Sequence, residues 1–252
     1  MNAPWAIAIV AAWIGVAAAQ APKAAPEPAK ERDSPPPAAA AGEKAQASPA
    51  APAVAYKPPA RGAPKRRVGG ASRGTGDKAP HVGVLAPDHV GLTQEAQPDL
   101  YWFISRPSPV RIELTLIDGK AVAPVKEVVL SGAGREGIHR FSLREHGVRL
   151  ETGTDYEWSV AVVPDPNGRS ADILAGGAIR RVAPEAALAS RLRGLAGTRR
   201  AAVLAEAGLW YDALATLGEE IASSSGERAA RAARADLLEQ VGLAEIAAWE
   251  RR

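Results

Sequence analysis

The chain has 252 residues, a formal net charge of +3 and no cysteine. That length is room for one or two domains. Without cysteine there is no disulfide, thiolate nucleophile, cysteine-ligated zinc or lipidated N-terminal cysteine, and the small net charge gives no reason to expect nucleic acid.

Residues 1–19 read as a signal peptide. The apolar run AIAIVAAWIGVAAA (Ala6–Ala19) is shorter than the ~20 residues of a comfortable membrane span. Ala17 and Ala19 form an A-x-A cleavage site, so cleavage is expected near Ala19, although the leading MNAPW lacks the usual Lys or Arg. The expected location is periplasmic or secreted, with the N-terminus as the point of any membrane proximity. Heavy use of Ala, Gly, Arg and Pro points to a high-GC bacterial gene.

Residues 20–55 are Ala, Pro, Lys and Glu without an apolar period. Such a segment cannot offset the entropy of ordering and reads as a disordered, semi-extended tether. Residues 56–80 form a basic arm rich in Pro, Gly and Arg. Between Lys57 and Lys78 it carries Arg61, Lys65, Arg66, Arg67 and Arg73, with Asp77 as its one acid.

From residue 81 to 183 the period is two. VRIELTLID sets Val110, Ile112, Leu114 and Leu116 on one face and Arg111, Glu113 and Thr115 on the other. YEWSVAVV alternates in the same way, and DLYWFIS (Asp99–Ser105) is apolar on both sides. VKEVVL (Val125–Leu130), GIHRFSL (Gly137–Leu143) and ADILAGGAIRRV (Ala171–Val182) are weaker strand candidates. Turn-forming RPSP, DGKAVAP, SGAGREG and PDPNGRS separate them. Short strands at this spacing predict a β-sandwich, with Trp102 and Trp158 as its inter-sheet pair.

The stretch LETGTDYEWSV sharpens the prediction. Leu150, Thr154 and Tyr156 resemble the strand-F entry of fibronectin type III and related immunoglobulin-like domains, with Thr152 where Pro is usual. The resemblance implies that the Tyr156 hydroxyl ties back to the preceding corner.

Residues 184–252 turn helical, with apolar residues three and four apart. AAVLAEAGLWYDAL echoes ADLLEQVGLAEIAA at an offset of 34 residues, Gly208 to Gly242. That is the period of tetratricopeptide repeats, although the first-helix Trp and the closing Pro are absent. Two such repeats are too few to stand alone and are expected to lean on the sandwich. The fold class is therefore multi-domain: an all-β immunoglobulin-like sandwich, then a small all-α, tetratricopeptide-like helical pair, preceded by a disordered tether.

In order, YKPPARGAPKRRVGGASRG, VLAPDHVGLT, LYWFIS, IELTL, YEWSV, RSAD and GLWYDAL resemble the signature of the bacterial family catalogued as domain of unknown function 928. The resemblance implies an exported protein without an assigned activity. It also makes the basic arm part of the domain.

Several motifs fail as sites. GASRG around Ser72 fits a nucleophile-elbow string but lacks the strand before it and the helix after it. Asp165, Asn167 and Asp172 offer too few oxygens for calcium, and NG there reads as a hairpin turn. His81, His139 and His146 are scattered without metal-ligand spacing. Asp88 and His89, adjacent in APDHVGLT, are expected to point opposite ways, with Asp88 in an N-cap-like turn. No metal or cofactor is expected.

Arginine forks and glycine N–H groups of the arm suit phosphate or carboxylate. Trp210 and Tyr211 lie about 100° apart on a helix, so one is expected in the core and the other at the sandwich seam or a partner surface. The leading reading is a non-enzymatic envelope module that engages a protein partner or anionic polymer. Its contact residues would be Arg61, Lys65, Arg66, Arg67, Arg73, Trp210 and Tyr211. The alternatives are an exported hydrolase using Asp88 and His89, or a purely structural scaffold whose arm completes the fold.

Overall fold

Alternating apolar residues give the first half of the folded region its strands, and three-and-four spacing gives the second half its helices. The computed structural model describes residues 54–59, 67–69, 79–120, 123–130, 134–223 and 226–252. The predicted signal peptide, nearly all of the tether, and Arg61, Lys65, Arg66, Ser72 and Arg73 lie outside the described residues. Val54, within the stretch read as tether, is buried against the core.

Eight strands form two sheets among the described residues. In the smaller, β3 (Asp99–Ile104) runs antiparallel between β1 (Val82–Val84) and β6 (Gly137–Ser142). The larger takes β2 (Val90–Thr93), β4 (Arg111–Asp118), β5 (Pro124–Val129), β7 (Asp155–Val163) and β8 (Ile173–Arg181), in the spatial order β2-β8-β7-β4-β5. All its pairs are antiparallel except β2 with β8. All six predicted segments are strands. The two that alternation did not predict, β1 and β2, are three and four residues long, too short to display a period.

Asp88 therefore precedes a strand, not a helix, and the N-cap-like turn expected there is a bend leading into β2. The predicted turn at NG joins β7 to β8. Asp165 accepts the N–H of Asn167 at 2.9 Å through its side chain, and a 3-10 turn follows over Arg169–Ala171.

The two sheets face each other, with Val84 lying over Gly177. Residues 100–104 are buried throughout because β3 is covered on both faces. Beyond the smaller sheet lie helices, and Phe103 packs edge-on against Trp249 with ring centroids 5.4 Å apart. Trp102 and Trp158 take other partners than each other. Trp102 stacks on His139 of the neighbouring strand at 4.5 Å, and Trp158 bonds to a helix. The tie expected of Tyr156 is present, since Glu151 N–H donates to its hydroxyl at 3.0 Å.

One expected solvent-facing residue is buried. Glu113 does point away from Leu114, but it is 4 % exposed beneath Arg111 and Arg169, both ion-paired to it. Burial alone would raise its carboxyl. Hydrogen bonds from Arg169 and Arg111 outweigh that and hold it below its ordinary value.

The helices are α1 (Ala186–Arg191), α2 (Gly197–Glu206), α3 (Trp210–Ser223), α4 (Glu227–Gln240) and α5 (Ala244–Glu250). The 34-residue echo is visible as two matching turns. Leu209 N–H donates to Leu204 O at 3.0 Å, and Leu243 N–H to Leu238 O at 2.9 Å. Gly208 at φ 79° and Gly242 at φ 74° supply the left-handed residue each turn requires. Ala213 and Ala247 are both fully buried where the helices meet. A single hydrophobic cluster runs from Val54 through both sheets to Ala247, so the boundary expected at residue 184 separates strands from helices without dividing the core.

Candidate functional site

The described parts of the arm are stitched to the helices. Gln240 of α4 accepts Tyr56 N–H at 2.8 Å and donates to Val54 O at 2.8 Å, much as a neighbouring strand would. Lys57 N–H donates to Ala205 O at 3.1 Å, and its ammonium meets Glu206 at 2.8 Å. Farther along, Val68 exchanges two backbone bonds with Gly176 of β8, each 3.0 Å. Arg67 works inward: its Nη1 donates to Ala86 O at 3.0 Å and to Val241 O at 2.9 Å. Of the five arm residues expected to contact a partner, this is the described one, and it clamps sandwich loop to helix turn.

Asp88 and His89 do not diverge. The bend preceding β2 brings His89 Nδ1 to 3.0 Å from Asp88 Oδ1, and its Nε2 lies 2.8 Å from the Tyr56 hydroxyl. With Nδ1–H donating to Asp88, Nε2 accepts from Tyr56. The three side chains line a shallow hollow of about 520 Å³ shared with Gln240 and Gly242. A hydroxyl, an imidazole and a carboxylate in series is the outline of an activated nucleophile. Here, however, burial, aided by the Asp88 charge, drives the Tyr56 hydroxyl above its ordinary value, which disfavours the phenolate. The Tyr56 ring also lies edge-on to Trp210 at 4.9 Å. The series therefore acts as an anchor for the arm.

Trp210 and Tyr211 are both 0 % exposed, which corrects the partner surface expected of them. Both reach the seam. Trp210 Nε1–H donates to Leu85 O at 2.9 Å, and Tyr211 donates to Ala178 O at 3.0 Å while accepting Trp158 Nε1–H at 2.9 Å. Their 100° separation sends one ring to the arm and β1 side and the other beneath β8. Sequence reasoning placed one of them correctly and missed that the seam is wide enough for both.

The next residue, Asp212, opens on a different feature. It is 9 % exposed at the floor of a cleft of about 360 Å³ between α3, α2 and the loop after β2. Thr93 donates its hydroxyl to one carboxyl oxygen, and Gln94 N–H donates to the other at 2.9 Å. Burial pushes the carboxyl up to about 6, with Glu95 adding to the rise and the two hydrogen bonds and Arg200 opposing it. Around it the walls are polar. Arg140 is committed to Asp99 at 3.0 Å and to Glu145, whereas Glu95, Arg144 and Glu219 make no ion pair with a described residue. A concave polar seam with a perturbed carboxyl is the physical profile of a ligand site. The signal for Asp212 was in the sequence: a lone acid inside the apolar helical run LWYDAL. No group of three or more His, Asp or Glu suited to a metal occurs among the described residues.

Residues 68–251 match the family described as Domain of Unknown Function (DUF928). No curated protein matches the chain.

Proposed function

Because the chain belongs to the DUF928 family, whose name assigns no activity, we propose its function from the site: an exported, non-enzymatic binding module of the cell envelope. Its partner is a protein or an anionic polymer, and its reading surface is the seam cleft above Asp212. We read the two sheets as an immunoglobulin-like sandwich, supported by the Glu151–Tyr156 corner, and the helices as a degenerate tetratricopeptide-like pair, supported by the matching turns at Gly208 and Gly242. Sheets joined to such a pair are a binding architecture more than a catalytic one, although fold alone decides little.

The observation that carries the reading is a contrast. The groups that would do chemistry, His89, Tyr56 and Asp212, are saturated by hydrogen bonds that join arm, sheet and helix. Three of the charges that line the cleft, Glu95, Arg144 and Glu219, make no ion pair with a described residue. Unpaired rim charges cost little in water and add specificity and association rate when a complementary partner arrives.

The test is crosslinking and affinity capture of residues 20–252 from an envelope extract at low and high salt. A Glu95→Gln, Arg144→Gln, Glu219→Gln variant serves as control. A salt-sensitive partner lost in the variant, with thermal stability unchanged, supports the module. Turnover of an ester or phosphoester that disappears in His89→Ala while the fold survives would replace it with the hydrolase reading.

A second reading has its own observation. The contacts of Tyr56, Arg67 and Val68 make the arm a strap that completes the fold. If the arm's only role is structural, removing residues before 79 destabilises the chain and leaves partner capture by the remaining folded fraction intact.

A further inference from the structure

The seam cleft has a chemistry narrower than its polar lining suggests. Its inner end is lined by Leu192 and Leu204, both buried, and floored by Asp212. The face that α3 turns to the cleft is Asp212, Ala215, Thr216 and Glu219, at three-and-four spacing. That stretch of helix spans about 10 Å, from the buried carboxyl of Asp212 to the exposed one of Glu219. Between them the small side chains of Ala215 and Thr216 leave a slot. Thr216 turns its hydroxyl back to Asp212 O at 2.8 Å, so the slot between the two acids is largely apolar.

The charges of the cleft have a sign. Five carboxyls and three guanidiniums line it. Asp99 and Glu145 are spent on Arg140. Asp212, Glu95 and Glu219 remain, against Arg144 and Arg200, and Arg200 turns its Nη1 to Leu192 O at 3.5 Å. Burial disfavours the ionised Asp212 carboxyl, and the charge of Glu95 disfavours it further. A cation in the cleft relieves both effects, whereas an anion would add one more like charge. Both oxygens of Asp212 are already engaged, by the Thr93 hydroxyl and by Gln94 N–H. No carboxylate edge is free there for a guanidinium fork, which favours a compact ammonium.

We propose that the seam cleft accepts a lysine side chain presented by a protein partner. The methylene stem lies along Leu192, Leu204 and Ala215. The ammonium stops above Asp212 and donates to Glu95, which makes no ion pair with a described residue. Glu219 at the mouth steers the approach. Half-exposed Gln94 offers its side-chain amide to the backbone that carries the lysine. The assignment rests on the module reading and narrows it to a protein, since an anionic polymer without amines carries nothing for this cleft. A protein whose surface is acidic overall can still present one lysine.

The experiment follows the backbone N–H signals of the full chain by NMR, that of Gln94 above all, during titration with a series of probes. One is a capped Gly-Ser peptide with a central lysine. Another is the same peptide with the lysine acetylated, which keeps the stem and removes the charge. The last is n-butylammonium, the side chain without its backbone. The expected result is saturable binding of the lysine peptide that shifts Gln94, weakened about tenfold or more by acetylation and by Glu95→Gln with Glu219→Gln. Arg144→Gln should not weaken it. All these substitutions fall on exposed side chains without an ion pair to a described residue, so the melting temperature is expected to hold. The proposal is overturned if the acetylated peptide binds as well, if Arg144→Gln weakens binding and the glutamate pair does not, or if the lysine peptide does not bind. Binding of n-butylammonium as tight as that of the peptide would give the cleft to a free amine and overturn the protein assignment. In each of these cases, a salt-sensitive partner still captured from the envelope and lost in the Glu95, Arg144 and Glu219 variant would leave the module reading standing and refute only the lysine.

Discussion

Trp158 and Tyr211 are joined by a hydrogen bond of 2.9 Å, Nε1–H to hydroxyl, deep inside the molecule. The same hydroxyl donates to Ala178 O at 3.0 Å, so one oxygen links β7, β8 and α3. Because Tyr211 is wholly buried, burial raises its hydroxyl above the ordinary value, and it remains a neutral donor.

Tyr211→Phe leaves a buried indole N–H without its acceptor and removes the hydroxyl from a buried carbonyl. Each buried unmet group costs about 1–3 kcal/mol, so the expected loss is about 2–4 kcal/mol in urea unfolding. A double-mutant cycle with Trp158→Phe should show positive coupling. Additive losses would mean that the hydroxyl acts only through Ala178.

The seam also explains what the sequence made legible and what it hid. Long alternating strands such as Arg111–Asp118 and Asp155–Val163 declare their inner faces through period two, and the Leu204 and Leu238 turns declare themselves through Gly and spacing. The site was harder, because its members come from distant parts of the chain. Asp212 receives Thr93, 119 residues away, and Tyr56 meets Gln240, 184 residues away. Nothing local reports such pairings. A three-residue β1 and four-residue β2 carry too few positions to show a period. Glu113 misled for a related reason: the arginine that helps to cover it, Arg169, arrives from the β7–β8 turn.

Asp212 gives the fold a pH dependence of definite sign. Its folded value of about 6 stands above the ordinary 3.8, so the protonated form is favoured by folding. The associated stability is fully present below pH 4 and is lost as pH rises through 6, on the order of 3 kcal/mol in all. Glu113, Glu206 and Glu239, held low by their basic partners, act in the opposite direction, so the comparison must be between variants. Asp212→Asn should destabilise more at pH 4 than at pH 7. A difference that grows with pH would reverse the assignment.

The two helix turns offer a matched pair of substitutions. Gly208→Ala and Gly242→Ala each force a left-handed residue, at about 1–2 kcal/mol. An added Cβ at Gly208 would lie 3.0 Å from Lys57 O, whereas at Gly242 the nearest atom is Arg67 Nη2 at 3.9 Å. Gly208→Ala should therefore lower the melting temperature more. Equal losses would show that the arm gives way at Lys57 without cost.

Stability and capture measure two roles of the arm independently. Arg67 donates to Ala86 O and Val241 O from a half-buried position, and burial, partly offset by Asp88, draws its guanidinium below the ordinary value. Hydrogen bonds from a charged group contribute about 1.5–3 kcal/mol, so Arg67→Gln should cost about 2–3 kcal/mol and act on binding only through folding. Lys57→Gln removes an exposed pair with Glu206 and should leave the melting temperature nearly unchanged, since solvent screens such a pair. If the arm extends the contact surface of the seam cleft, changing Arg61, Lys65 and Arg66 to Gln weakens capture of an anionic partner while the melting temperature holds. If that triple variant instead loses stability on the scale of Arg67→Gln, the basic arm as a whole is a strap, and the seam cleft alone is left as the contact surface.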